Sequence, residues 1–262
     1  MSDEWHAEAH AAGTLSARVG RDGDRLIAEW PRRARLSVKR DGTDVVFDAH
    51  PEADVADLEK LRRGAVRLLL AHLRGGIPLH ASAVAIDGRA VVCVGGTGLG
   101  KSTLAATLCD LAGASLLGDD AVAIERVGDS FEVVALEELH WLDAPAARAL
   151  GRPSDFGDTK IAIPTRRSDV TRAPIAMIVH LAFSEGSEPR LVSVSGLEAV
   201  AGLLSQLTRF VVDEPEVARR DLTSLGDLVD RTPVLRLDRP RRLDLLRPTA
   251  ALVVAALHGK NP

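Results

Sequence analysis

Cysteine is nearly absent. Cys93 and Cys109 are all the chain has, too few for a disulfide framework, and a reducing cytoplasm is the expected compartment. Lysine is scarce too, five residues against 28 Arg, so each one stands out. The longest clean apolar run, Ala250 to Leu257, falls far short of the ~20 residues a membrane span needs. The start, MSDEWHAEAHAAG, is acidic and polar rather than basic then apolar, so no export signal is expected. A net charge of −4 gives no global attraction to nucleic acid or anionic lipid, and neither is expected as a partner. What is present is ordinary: 46% hydrophobic and 27% charged residues over 262 positions. That excludes a disordered or collagen-like chain and suffices for a buried core.

The patterning divides the chain in two. Residues 1 to about 13 read as a polar, frayed terminus. From Thr14 to Asp48, short alternating runs are separated by Asp22-Gly23 and Asp41-Gly42, which are hairpin signals. A helix is expected from Val55 to Leu73, closed by Gly75-Gly76. Residues 1–75 are thus expected to form a small β-rich unit plus helix, and 76–262 a larger α/β domain. In the latter, PLHASAVAI and AVVCVG flank Asp87-Gly88, another hairpin turn. A Gly-rich loop and a helix from Lys101 follow. The stretch from about Glu137 to Thr171 is irregular, with one short helix. Two helices, a late strand (VLRLD) and a closing apolar helix complete the chain.

The strongest signal is Gly95-Gly96-Thr97-Gly98-Leu99-Gly100-Lys101-Ser102, which fits the phosphate-loop pattern in full. Glycines let successive N–H groups converge on one point. The helix beginning at Lys101 adds its positive dipole end there. The pattern assigns the Lys101 ammonium to the β- and γ-phosphates and the Ser102 hydroxyl to Mg²⁺. An apolar strand runs in and a helix runs out, as such a loop requires. A carboxylate near the phosphates is also needed. Asp119-Asp120, at the end of the apolar run Ala114 to Leu117, can return beside the loop after one helix and one strand.

With these residues in hand, LHASAVAIDGRAVVCVGGTGLGKSTLAATL…LLGDDAVAI resembles the kinase domain of HPr kinase/phosphorylase, bacterial enzymes that phosphorylate a serine of a phosphocarrier protein. It is more similar still to the looser group of HPr-kinase-like proteins, some of which phosphorylate a serine of a ribosomally made peptide. The resemblance implies an α/β fold of the phosphoenolpyruvate carboxykinase-like type, a mixed sheet with flanking helices. It implies ATP and Mg²⁺ as cofactors and a peptide or protein bearing the acceptor serine as partner. It makes homo-oligomerisation plausible. The nucleotide-binding loop falls on Gly95 to Ser102, with Thr103 next, and the active-site histidine on His80. The aspartate pair falls on Asp119 and Asp120, with Asp120 favoured as proton acceptor and Asp119 as a holder of Mg²⁺ or its water. The chain departs from those enzymes at Thr103, where they carry Glu, and lacks their second glycine-rich signature after Leu136. Their magnesium-binding Glu therefore cannot be assigned to Glu137 or Glu138.

Smaller signals remain. Lys160 is read either as a second cation on the γ-phosphate, with Arg152 or Arg166 as substitutes, or as a solvated loop residue. Arg239, Arg241 and Arg242 read as a solvated turn, with docking of an acidic partner as the functional alternative. Trp141 reads as core, with lining of the substrate groove as the functional alternative. Eight His scatter without ligand spacing, so no zinc site is expected. The sequence supports a serine-directed kinase. It leaves open a small-molecule kinase, a hydrolytic switch, a nucleotide-binding scaffold, and ATP against GTP or pyrophosphate.

Overall fold

A computed structural model describes residues 4–11, 14–152, 160–165, 169–211 and 214–260. Five strands open the chain: β1 (Glu4–Ala11), β2 (Thr14–Asp22), β3 (Arg25–Trp30), β4 (Ala34–Lys39) and β5 (Val46–Ala49). They pair in chain order as an antiparallel sheet. Residues 4–11 are therefore not a frayed end. β1 pairs along β2, and Arg18 lies 4.0 Å from the Trp5 ring. Register shifts between Trp5 and Ala7 and between Ala9 and His10 interrupt the pairing.

The expected helix is interrupted. α1 (Val55–Leu61) passes through a π-turn at Arg62–Val66 into α2 (Arg67–Leu73). Asp54 caps α1, accepting from the Asp57 N–H at 3.1 Å. The widened turn has a packing reason. Leu61 and Val66 are five residues apart, yet both are buried with Leu69 against Leu26, Leu36 and Val38 of the first sheet. A regular helix would put Leu61 and Val66 on different faces. α2 also packs Leu68 and Ala71 against Ala123 and Leu136, so it serves the cores of both sheets.

The second sheet follows: β6 (Ile77–Leu79), β7 (Ser82–Ile86), β8 (Arg89–Val94), α3 (Lys101–Ala112), β9 (Ser115–Gly118), β10 (Val122–Val127) and β11 (Ser130–Val134). After these come β12 (Leu139–Leu142), α4 (Ala144–Ala149), β13 (Ile161–Pro164), β14 (Arg172–Phe183), β15 (Arg190–Ser193), α5 (Gly196–Leu204), α6 (Pro215–Arg231), β16 (Val234–Arg239) and α7 (Leu246–Leu257). The stretch expected to be irregular contains the β12–β13 antiparallel pair, Leu139 opposite Pro164 through Leu142 opposite Ile161.

The architecture is mixed α/β. Nine strands run in the order β6-β10-β11-β14-β8-β7-β9, with β16 beside β14 and β15 beside β16. β8, β14 and β16 are parallel; the other pairings are antiparallel. Alternate residues of β8 supply opposite faces. Val92 and Val94 pack with Leu203, Leu225 and Leu228 of α5 and α6, whereas Val91 and Cys93 pack with Leu104, Leu108 and Val253 of α3 and α7. Each such fully buried side chain contributes about 1.5–3 kcal/mol. Among the described residues, no helix is long and apolar enough to cross a membrane.

One polar contact joins α2 to α6 inside this packing. The buried His72 Nε2 lies 3.1 Å from both carboxylate oxygens of Asp221, which Arg220 also reaches. Burial pushes the Asp221 pKa up, but the hydrogen bond and charge of His72, with those of Arg220, outweigh it and hold it below the usual range. A depressed native pKa stabilises above the unfolded carboxylate range, and that stabilisation is lost as pH falls through the native value. Asp221→Asn is expected to cost about 1–3 kcal/mol at pH 7. The difference from wild type, read as urea midpoints, should shrink below about pH 4. Equal midpoints at pH 7 would remove this contact from the stabilising set.

Candidate functional site

β8 ends at Val94, runs into the glycine loop, and leaves it as α3 at Lys101. The loop needs backbone that side-chain-bearing residues avoid: φ is 144° at Gly95, 81° at Gly98 and 75° at Gly100. Gly100 is constrained a second time, because a Cβ there would sit 2.7 Å from Arg239 Nη2. That same Nη2 donates to the Leu99 carbonyl. Lys101 and Ser102 are buried at the helix start. Lys101 Nζ donates to the Gly95 carbonyl at 2.7 Å and the Gly96 carbonyl at 3.4 Å. Burial lowers the Lys101 pKa, while the nearby Asp120 charge works the other way.

The two adjacent aspartates occupy opposite environments. Asp119 is 2% exposed. One of its oxygens accepts from Ser82 Oγ at 2.6 Å and the other from the Trp141 N–H at 2.7 Å. Burial lifts its pKa to about 6 in spite of these bonds and a smaller one from the Ser102 hydroxyl. Asp120 has φ 63°, a left-handed conformation uncommon outside glycine, and its side chain is 42% exposed. Its Oδ1 lies 3.7 Å from His80 Nε2 and 3.7 Å from Lys160 Nζ. Burial alone would raise the Asp120 pKa, but His80, Lys160 and Lys101 together hold it below the usual range. His80 reaches this point because the run read as one strand is two. β6 pairs with β10, β7 pairs with β8, and His80 sits in the bend between them, its N–H bonded to the Gln206 carbonyl at 2.8 Å.

The loop, Asp120, His80 and Lys160 share a cleft of about 310 Å³, and the buried Asp119 lies behind its lining. Thr97, Gly98, Gly100, Lys101, Ser102 and Thr103 line one side, and His80, Asp120 and Lys160 another. Gly95, Gly96 and Leu99 do not line it. Gly95 and Gly96 hold Lys101 through their carbonyls, and Leu99 packs on the α3–α7 core. Trp141, expected in the core, borders the cleft, with Lys60 Nζ 3.8 Å from its ring. Three of the five lysines, Lys60, Lys101 and Lys160, thus gather here. Arg152 pairs with Asp110 at 2.6 Å and does not line the cleft. Arg166 lies outside the described residues. Burial pushes the Cys93 and Cys109 thiols up to about 12, which leaves both inert.

Sequence reasoning missed one wall of the cleft. Arg239 is 5% exposed, packed on the glycine loop rather than solvated. Arg241 lies 5.7 Å from the Phe183 ring, and both line the cleft. The local signal, three Arg around a proline, could not distinguish a solvated turn from this.

Among the described residues, no three His, Cys, Asp or Glu cluster as a metal cage. Ser102 Oγ and the Asp119 carboxylate are nonetheless adjacent hard-oxygen donors. Mg²⁺ accepts such a pair when phosphate oxygens and water complete its shell, so the residues fit it.

No protein-family model matches the chain, and no curated protein matches it significantly. Among solved structures, the HPr(Ser) kinase/phosphatase from Coxiella burnetii is similar over 70% of this chain and 97% of its own, at 14% identity and a TM-score of 0.39. A likeness at that level assigns no activity.

Gly100→Ala is expected to lower stability by about 1–3 kcal/mol through its left-handed φ and the Arg239 contact. Combining it with Arg239→Ala should recover the contact part only. A Gly100→Ala protein that melts like wild type would show that neither constraint acts on the loop.

Proposed function

We propose that the cleft binds a nucleoside triphosphate with Mg²⁺ and transfers its terminal phosphoryl group to a serine hydroxyl of a peptide or protein. What carries this reading is the meeting, in one cleft, of the Gly95–Ser102 loop with Asp120, His80 and Lys160. A glycine loop alone would suit any anion. A solvent-facing carboxylate flanked by two cationic or basic groups beside it is what a hydroxyl-directed phosphotransferase needs.

The roles follow from position. The loop N–H groups and the α3 N-terminus face the phosphates, and the Lys101 ammonium exchanges its carbonyl partners for phosphate oxygens. Ser102 would hold the metal, and Asp119 behind it would hold the metal or its water; when bound, the metal would supply positive charge against the phosphates. Asp119 is a poor candidate for the base, since it is 2% exposed and lies behind the cleft lining, out of the way of an incoming hydroxyl. Asp120 is free to meet an incoming hydroxyl and takes its proton. His80 positions the Asp120 carboxylate. Lys160 sits where it stabilises charge on the transferring group.

The test is transfer of label from γ-labelled ATP with Mg²⁺ to a clarified lysate of the source organism. A labelled peptide or protein band is expected, abolished in Lys101→Ala. It should be reduced at least about 10²-fold in Asp120→Asn, with nucleotide affinity kept within a few-fold. Nucleotide binding with no labelled macromolecule would overturn the serine-kinase reading and turn attention to small hydroxyl acceptors or hydrolysis. Loss of nucleotide binding in Asp120→Asn would overturn the role given to Asp120.

A further inference from the structure

The wall formed by Phe183 and Arg241 is not used by the chemistry above. β8, β14 and β16 are the parallel strands of the sheet, and their carboxyl ends, Val94, Phe183 and Arg239, all open on the cleft side. Ligands of open α/β sheets sit at such ends. Phe183 pairs in register with Arg239, so the exposed ring and the buried guanidinium stand side by side. Phe183 is 37% exposed and lines the cleft. Arg239 lies 5.1 Å and Arg241 5.7 Å from its centroid. Arg242, by contrast, is engaged by Asp244. Among the described residues, no carboxylate pairs with Arg239 or Arg241, and the buried Arg239 Nε has no hydrogen-bond partner.

The strand order gives this wall its direction. Across the sheet the sequence is β9, β7, β8, β14, β16. Asp120 follows β9 and His80 precedes β7, so both lie on one side of the glycine loop; Phe183 and Arg241 lie on the other. A triphosphate laid over the loop with its terminal phosphate toward Asp120 carries its nucleoside toward Phe183.

We propose that Phe183 and Arg241 form the nucleobase subsite, which binds the heteroaromatic ring of a nucleoside triphosphate by stacking rather than by base-edge recognition. This rests on the phosphate-site reading of the loop. A π-face is common to all bases, and stacking on aromatic and guanidinium planes is base-tolerant. No amide side chain lines the cleft among the described residues. Besides Asp120, the Asp143 carboxylate lines it, and that group is engaged in capping α4, accepting from the Ala146 N–H at 2.9 Å. Little discrimination between adenine and guanine follows. An acidic peptide is the competing occupant of Arg241, but an acceptor serine has to reach Asp120, on the far side of the loop.

Calorimetric titrations with Mg²⁺-ATP, Mg²⁺-GTP and Mg²⁺-tripolyphosphate separate the two parts of the site. Wild type should bind ATP and GTP within a few-fold of each other, and both about tenfold or more above tripolyphosphate. Phe183→Leu, which keeps apolar bulk but removes the π-face, should lose that advantage for both nucleotides and leave tripolyphosphate unchanged. Phe183→Tyr should restore it, and Arg241→Ala should lose part of it. Equal weakening of ATP and tripolyphosphate in Phe183→Leu would overturn the subsite. So would unchanged ATP affinity with poorer phosphoryl transfer, which would assign the wall to the acceptor. Wild type binding ATP no better than tripolyphosphate would overturn the subsite while sparing the phosphate site. Failure of wild type to bind either would overturn the phosphate reading itself.

Discussion

The buried carboxylate of Asp119 is the contact on which the rest of the site depends. Removing a carboxylate from water costs several kcal/mol unless its lone pairs are met. Here they are met by Ser82 from β7 and by the Trp141 N–H from β12. Three segments distant in sequence are thereby fastened at one point: the end of β9, the start of β7 and the β12 strand. With Asp119 fixed, the chain leaves it through the left-handed turn at Asp120, and that turn directs the second carboxylate outward to His80 and Lys160. A strained residue of this kind persists only where its neighbours over-determine it, and Asp119 supplies the determination.

The parallel trio β8, β14 and β16 provides the other half of the frame. Both faces of β8 are covered, by α3 and α7 on one side and by α5 and α6 on the other. A strand so enclosed has little freedom to shift, and the loop at its end inherits that rigidity. The Arg239 guanidinium, donating to the Leu99 carbonyl, ties the loop to the third parallel strand. The loop is therefore held at its start by β8, at its end by α3 and in its middle by β16.

What could be read from the residues alone was what is local. The glycine loop, its flanking strand and helix, the Asp-Gly turns and the α/β class all declare themselves within a dozen residues. The proximity of Asp119-Asp120 to the loop was inferable from the count of elements between them. What escaped was long-range or irregular. The Arg239 contact to the loop spans 140 positions, and nothing near Arg239 announces it. β1 does alternate, but three of its four apolar positions are alanine, a residue depleted in strands. The π-turn was hidden because a helix that keeps Leu61 and Val66 on one face breaks the very periodicity used to find it. The break at His80 was hidden because both halves of the run are apolar and β-like, and only their different partners reveal two strands.

The environments of the two aspartates bear on the timing of the proposed reaction. Asp120 is kept ionised across the neutral range by His80, Lys160 and Lys101, so it is a weak base toward a serine hydroxyl in the ground state. In a loose phosphoryl transfer the nucleophile bonds to phosphorus late, and its O–H becomes strongly acidic only as that bond forms. A weak base suffices then, and a weak base has a further property: it does not arrive at the site already protonated. Its negative charge is available to orient the hydroxyl beforehand and to accept the proton afterwards. Lys160 Nζ lies 3.7 Å from Asp120 Oδ1, and a terminal phosphoryl group would compete with Asp120 for that ammonium. Any shift of Lys160 toward the phosphate would withdraw a positive charge from Asp120 and raise its basicity as transfer proceeds. The same ion pair that makes Asp120 a weak base thus couples its strength to the presence of the phosphoryl group.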